Sequence, residues 1–210
     1  MKLEDIEHIL AGDGTSPVCM RGTSYEMVVS LFENGVLKGN QKLAEKRGGL
    51  YIYAWPVREN WNPNGLVPPV PWSRDYWNPM DWSERFAKIH AEEDFFASRV
   101  GFTMVEYRRA KCGGDGLEKI ERAKIQRNLT DEDIENLAQE TGRRGGYILD
   151  FNPDLIRRHL IERDKYFCEA EGCVAIQINC PNGIDWGLIS RIRPIGKRDE
   201  ELISLYLQKR

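Results

Sequence analysis

The sequence predicts an α+β domain, and three observations predict it. Short strand-like runs and capped helical patterns are interleaved along 210 residues, in an order that suits mixed secondary structure around one core. Hydrophobic residues make up 41% and charged residues 30% of the chain, a globular balance that excludes wholesale disorder, collagen and coiled coil. No internal repeat or low-complexity tract interrupts it. At about 150 residues per domain, the length suits a single domain over residues 1–210 with two elaborations. One is a Trp/Pro-rich insertion at about 56–82 and the other a charged helical insertion at about 115–142.

Residues 17–21, Pro-Val-Cys-Met-Arg, are short and mostly apolar and suit a buried strand. Thr23 or Ser24 can cap a helix carrying Met27, Val28, Leu31 and Phe32, which Gly35 stops after Asn34. Gly48-Gly49 opens Leu-Tyr-Ile-Tyr-Ala-Trp, a β-rich run cut off by Pro56. Five of the six tryptophans and six of the ten prolines lie within residues 55–82, where a long loop is expected. Ser83 is read as the N-cap of a helix to about Arg99, stopped by Gly101. Phe102–Tyr107 alternates weakly and reads as a strand. Residues 117–127 are helical in pattern, and Thr130 with Asp133 resembles a capping box for a helix ending at Gly142. Gly146–Phe151 reads as a strand, and Asn152-Pro153 as the start of a helix to about Lys165. Cys173–Cys180 and Gly187–Ile195 read as strands, and Asp199–Gln208 as an amphipathic helix or tail.

A formal net charge of −3 offers no global positive field for nucleic acid or an anionic membrane. No stretch approaches the roughly 20 apolar residues of a membrane span, and the charged start Met1–His8 has no signal-peptide core. Five cysteines are an odd number, which argues for reduced thiols and a cytoplasmic location. Cys168, Cys173 and Cys180 have the wrong spacing for zinc and no adjacent histidine; no metal is expected.

Three places carry candidate chemistry. Arg21-Gly22-Thr23 lies between a buried strand and a helix cap, where a guanidinium can grip an anion and glycine admits a ligand to the backbone. A structural salt bridge is the alternative. Glu169 and Glu171, at i and i+2 ahead of a strand, point to one side and can stabilise an oxocarbenium-like centre or activate a hydroxyl, or else form a solvated turn. Tyr51 and Tyr53 share a strand face and can stack on a flat ring or pack in a core. The sequence contains no Gly-x-Ser-x-Gly and no phosphate-binding Gly-x-x-x-x-Gly-Lys-Ser/Thr motif.

In order, these pieces resemble the ADP-ribosyltransferase superfamily. Val18–Ser24 resembles its first strand, where an arginine or histidine before Gly-Thr contacts NAD. Gly48–Ala54 is similar to the Gly-x-Tyr-Phe-Ala strand of the polymerase-like branch, and Glu169-Ala-Glu171 to the Glu-x-Glu of the arginine-type branch. The Ser-Thr-Ser strand of the toxin-like branch is absent, and Glu106 competes with the glutamate pair. The resemblance implies a split, antiparallel-type β core with flanking helices and NAD as substrate. Arg21, Gly22, Thr23, Tyr51 and Tyr53 would bind NAD, and Glu171 with Glu169 would be catalytic. ADP-ribose would pass to a protein or nucleic-acid acceptor with loss of nicotinamide. Two alternatives stand beside this reading. One is a non-enzymatic module whose Trp/Pro loop recognises a peptide or sugar. The other is an NAD-dependent RNA 2′-phosphotransferase-like enzyme, with Arg108-Arg109, Arg143-Arg144, Arg157-Arg158, Arg191 and Arg193 as an RNA patch.

Overall fold

Strand β1 (Cys19–Thr23) lies centrally in a six-stranded antiparallel sheet of order β5-β6-β3-β1-β4-β8. The computed structural model describes residues 1–38, 51–57, 78–164 and 175–210. In chain order the other strands of this sheet are β3 (Tyr51–Pro56), β4 (Tyr147–Phe151), β5 (Leu160–Arg163), β6 (Ile176–Asn179) and β8 (Ile189–Pro194). A separate two-stranded ribbon pairs β2 (Val36–Leu37) with β7 (Ile184–Asp185).

The alternation of strands sets the two faces. Cys19, Ile52, Ala54, Leu149, Phe151 and Ile178 join one buried cluster with Leu155 and with residues of three longer helices. These are α1 (Leu3–Ala11), α2 (Tyr25–Asn34) and α8 (Lys197–Gln208). Helix α2 starts and ends as its sequence dictates. Ser24 Oγ accepts from Met27 N, and Gly35 takes the left-handed conformation with φ 70°.

The opposite face is covered by α3 (Pro79–Ala91). Here Gly22 is required by helix–sheet packing. A Cβ at Gly22 would stand 2.0 Å from Ser83 O and 2.2 Å from Ala87 N, far inside van der Waals contact. The glycine that the sequence suggests for a ligand therefore admits a helix backbone. Trp55, buried on this face, meets Phe86 with ring centroids 4.7 Å apart and stacks on Trp82 at 6.5 Å.

Helix α3 runs on through a π-helical turn, Glu92–Ala97, and a short helical turn, Ser98–Val100. Three helices follow: α4 (Met104–Lys111), α5 (Leu117–Arg127) and α6 (Asp131–Gly142). They have a core of their own, in which Phe96, Phe102, Met104, Ile120 and Ile134 are buried together.

Several sequence expectations are corrected. Phe102–Tyr107 is no strand. Thr103 caps α4 and Glu106 completes the box, with Thr103 N donating to Glu106 Oε2 at 2.7 Å and Glu106 N to Thr103 Oγ1 at 3.2 Å. Helix α3 begins at Pro79 under an Asn78 cap, not at Ser83; proline suits the first helical turn, where its missing N–H has no partner to lose. The helix after Pro153 is only α7 (Asp154–Arg158), because the chain turns at His159 into β5. The C-terminal helix starts at Lys197, two residues before Asp199. Gly48-Gly49, Trp61, Trp72, Trp77, Cys168, Cys173, Glu169 and Glu171 lie outside the described residues.

Candidate functional site

Arg21 sits in the middle of β1, not at its end. Its side chain alternates with Gly22 and so shares the core face with Cys19 and Thr23. It is 9% exposed. Its Nη1 donates to the Tyr53 carbonyl at 2.8 Å. Its Nε and the Oγ1 of Thr23 are buried without a hydrogen-bond partner among the described residues. Burial pushes the Arg21 guanidinium down to about 10, against the pull of Cys180, Asp94 and Tyr53. A buried cation with an unused N–H is a costly arrangement unless something supplies an acceptor.

Ser24 and Asp94 stand at the end of the same strand. Ser24 Oγ donates to Asp94 Oδ2 at 2.5 Å while capping α2. Asp94 comes from the π-helical turn, whose wider winding re-aims side chains relative to a regular helix and recurs at functional sites. No nitrogen of Arg21 reaches ion-pair distance of a carboxylate among the described residues, so Asp94 acts on it through space.

The other predicted residues are distributed as follows. Tyr53 is half-buried, and strand alternation sets its side chain on the Gly22 and Trp55 face, opposite Arg21. Tyr51 pairs through its backbone with Asn179 of β6. Glu169 and Glu171 precede β6 outside the described residues. Glu106 is drawn away from any cleft by its capping role and its ion pair with Lys119 at 2.5 Å. These hydrogen bonds, that from Lys119 first and those from Thr103 after it, hold its carboxyl at about 2.

Four of the arginines proposed for RNA, Arg109, Arg144, Arg157 and Arg193, are each paired with a different carboxylate. Arg144 is buried, with its guanidinium 3.5 Å from the Phe95 ring centroid and 3.1 Å from Glu26. Arg157 pairs with Asp154 at 3.1 Å. Arg193 binds Asp150 at 2.6 Å on the face that α3 covers. Asp150 is a buried carboxylate that sequence reasoning missed, because β4 is buried along its whole length and its pattern shows no polar face. Burial raises the Asp150 carboxyl, with Arg193 and Arg191 opposing the shift.

Asp94 was also missed. Nothing in the sequence pattern of residues 92–97 marks the π-helical turn that aims it. Among the described residues no group of three or more His, Cys, Asp or Glu forms a metal-sized cluster, and no helix is long and apolar enough to cross a membrane. No family model matches the chain, and neither a curated protein nor a solved structure matches it.

Proposed function

We propose that this protein is an NAD-dependent ADP-ribosyltransferase that moves ADP-ribose from NAD to a macromolecular acceptor. One observation supports the reading: two of the candidate segments fall on adjacent strands, and the third precedes the next strand in sequence. Arg21-Gly22-Thr23 is on β1, Tyr51–Tyr53 on β3, and Glu169-Ala-Glu171 leads into β6; β6 pairs with β3, and β3 with β1. The buried guanidinium with one unbonded N–H and the Thr23 hydroxyl, both without a further partner among the described residues, support it, since a ligand would satisfy both. In this reading Arg21 and Thr23 hold NAD by hydrogen bonds. Glu171 bonds a ribose hydroxyl and stabilises positive charge as the glycosidic bond breaks; preorganised groups of this kind contribute several kcal/mol. Tyr53 does not share the face of Arg21, so any stacking on nicotinamide falls to another ring.

The test is NAD cleavage by the purified chain with a candidate acceptor. Glu171→Gln should lower the rate about a hundredfold or more without changing the thermal midpoint. An unchanged rate in a folded variant removes Glu171 from the chemistry. Absence of NAD binding by calorimetry and saturation-transfer NMR removes the enzyme reading.

A further inference from the structure

Helices α4, α5 and α6 enclose a groove that the transferase reading does not use. Its volume is about 440 Å³, within the roughly 300–1,000 Å³ of ligand-sized clefts. Its floor is apolar: Tyr107 and Ala110 come from α4, and Leu117 and Ile120 from α5. Ile120 is also part of the buried core of this helical unit, so the groove is shaped by packing beneath it. Helix α5 keeps two large apolar side chains in solvent, Leu117 at 60% and Ile125 at 82% exposure. A lone exposed apolar residue is ordinary. Leu117 differs because it stands beside an apolar floor.

The rim has the opposite character. Glu121 of α5 and Asp131, Glu132 and Glu135 of α6 line it together with Lys111. Lys111 pairs with Glu135 at 2.5 Å, and Lys124 with Glu121 at 2.9 Å and Asp131 at 2.8 Å. Four carboxylates against two lysines leave two negative charges in excess. Glu132 has no ion pair among the described residues. The whole chain carries −3, so this face repels phosphate and disfavours nucleic acid and anionic membrane.

We propose that the groove between α4, α5 and α6 docks a basic amphipathic peptide segment of a partner protein. An apolar side chain of that segment packs on Leu117, Ala110 and Tyr107, and its flanking Lys or Arg side chains face Asp131 and Glu132. Helix-in-groove recognition works in this way. The apolar anchor supplies most of the affinity, and the charges set orientation and association rate. Lys and Arg suit such a rim because their methylene stems lie along apolar surface while the charge stays in water. The proposal is independent of the transferase reading, since nothing in it requires NAD.

The experiment titrates the full chain into a fluorescein-labelled peptide of Leu and Lys at helical spacing. Two control peptides carry Glu in place of Lys, or Ser in place of Leu. Fluorescence anisotropy should show the Leu/Lys peptide binding at least about tenfold more tightly than either control. Amide shifts of the nitrogen-15-labelled chain should move within residues 107–111, 117–121 and 131–136. Leu117→Ser should weaken binding about tenfold, the size of one buried leucine, and Glu132→Lys about fivefold. No binding of the Leu/Lys peptide, equal binding of its Glu counterpart, or shifts centred outside the groove overturns the proposal. Sedimentation of the free chain as a dimer with the groove at its interface also overturns it and assigns the face to a second copy. Retention of the chain on phosphatidylserine vesicles through this groove overturns it in favour of a membrane. The peptide comparison and the shift map need no variant, so a misfolded Leu117→Ser would not shield the proposal.

Discussion

Two buried arginines, Arg21 and Arg144, differ in how their charge is compensated. Around Arg144, 7% exposed, the protein sets Glu26 at 3.1 Å, Glu140 at 3.6 Å, and the Phe95 ring at 3.5 Å from the guanidinium to the centroid, although Nε is left without a hydrogen bond. The network runs on through Glu140 to Arg198 of α8 at 2.7 Å. Around Arg21, similarly buried, one backbone carbonyl is bonded and Nε is left over. Both arginines are desolvated, but only Arg144 is charge-compensated at contact distance. The difference teaches how to tell a structural cation from one awaiting a counter-ion: burial and the count of bonded donors do not, since each arginine bonds through Nη1 and leaves Nε without a hydrogen bond, whereas a carboxylate at contact distance does.

The comparison can be broken or sharpened by substitution. The largest effect is expected where the sheet under Arg21 meets α3. Gly22→Ala should cost at least about 3 kcal/mol, the upper range for overpacking, because the new Cβ meets helix backbone at 2.0–2.2 Å. Urea unfolding checks it. A cost below about 1 kcal/mol would mean that α3 can retreat from β1.

Arg144→Met comes next, at about 2–3 kcal/mol, since removing one partner of a buried pair strands its carboxylates; Glu26 and Glu140 retain 31% and 21% exposure, which softens the loss. Arg21→Met should behave oppositely. Replacing a poorly paired buried cation by an apolar side chain should leave stability within about 1 kcal/mol of wild type, or raise it, while abolishing NAD binding. Equal destabilisation by both substitutions would erase the distinction between the two arginines.

A pH test follows from Asp150. Its carboxyl is raised by burial, so the folded state binds its proton more tightly than the unfolded state does. That contribution to stability is full below the ordinary carboxylate range and is lost as pH rises through the raised value. Asp150→Asn should therefore show a flatter dependence of unfolding free energy between acid and neutral pH than wild type. An identical profile would assign the dependence to other groups, such as Asp199, which burial also raises.

The smallest effect belongs to Glu106. Glu106→Ala should cost about 0.5–1 kcal/mol through loss of the α4 cap and leave NAD cleavage unchanged. A large fall in cleavage would restore Glu106 as the competing catalytic glutamate.

Much of the scaffold was legible in the chain, and the errors have physical causes. Ser24 and Gly35 bounded α2, and Thr130 with Asp133 started α6, because caps act over three or four residues. Thr103-x-x-Glu106 carries the same local signal, but the weak apolar alternation of residues 102–107 masked it. The helix after Pro153 was read too long because the strand hydrogen bonds of Leu160–Arg163 come from β6, on a segment distant in sequence. At the site, Arg21 and Thr23 were legible as residue types, whereas the face they occupy was not.

What the sequence determined by itself is local: which segments form helices and strands, where most caps stand, and that Arg21-Gly22-Thr23 joins a buried strand to a capped helix. Those choices depend on neighbours within a turn or a strand. Only the tertiary structure decided that Gly22 admits α3, that Tyr53 and Arg21 face opposite ways, and that Asp94, 70 residues from Ser24 along the chain, closes on it. Such contacts depend on sheet register and on the winding of one helical turn, and both are set by packing across the fold.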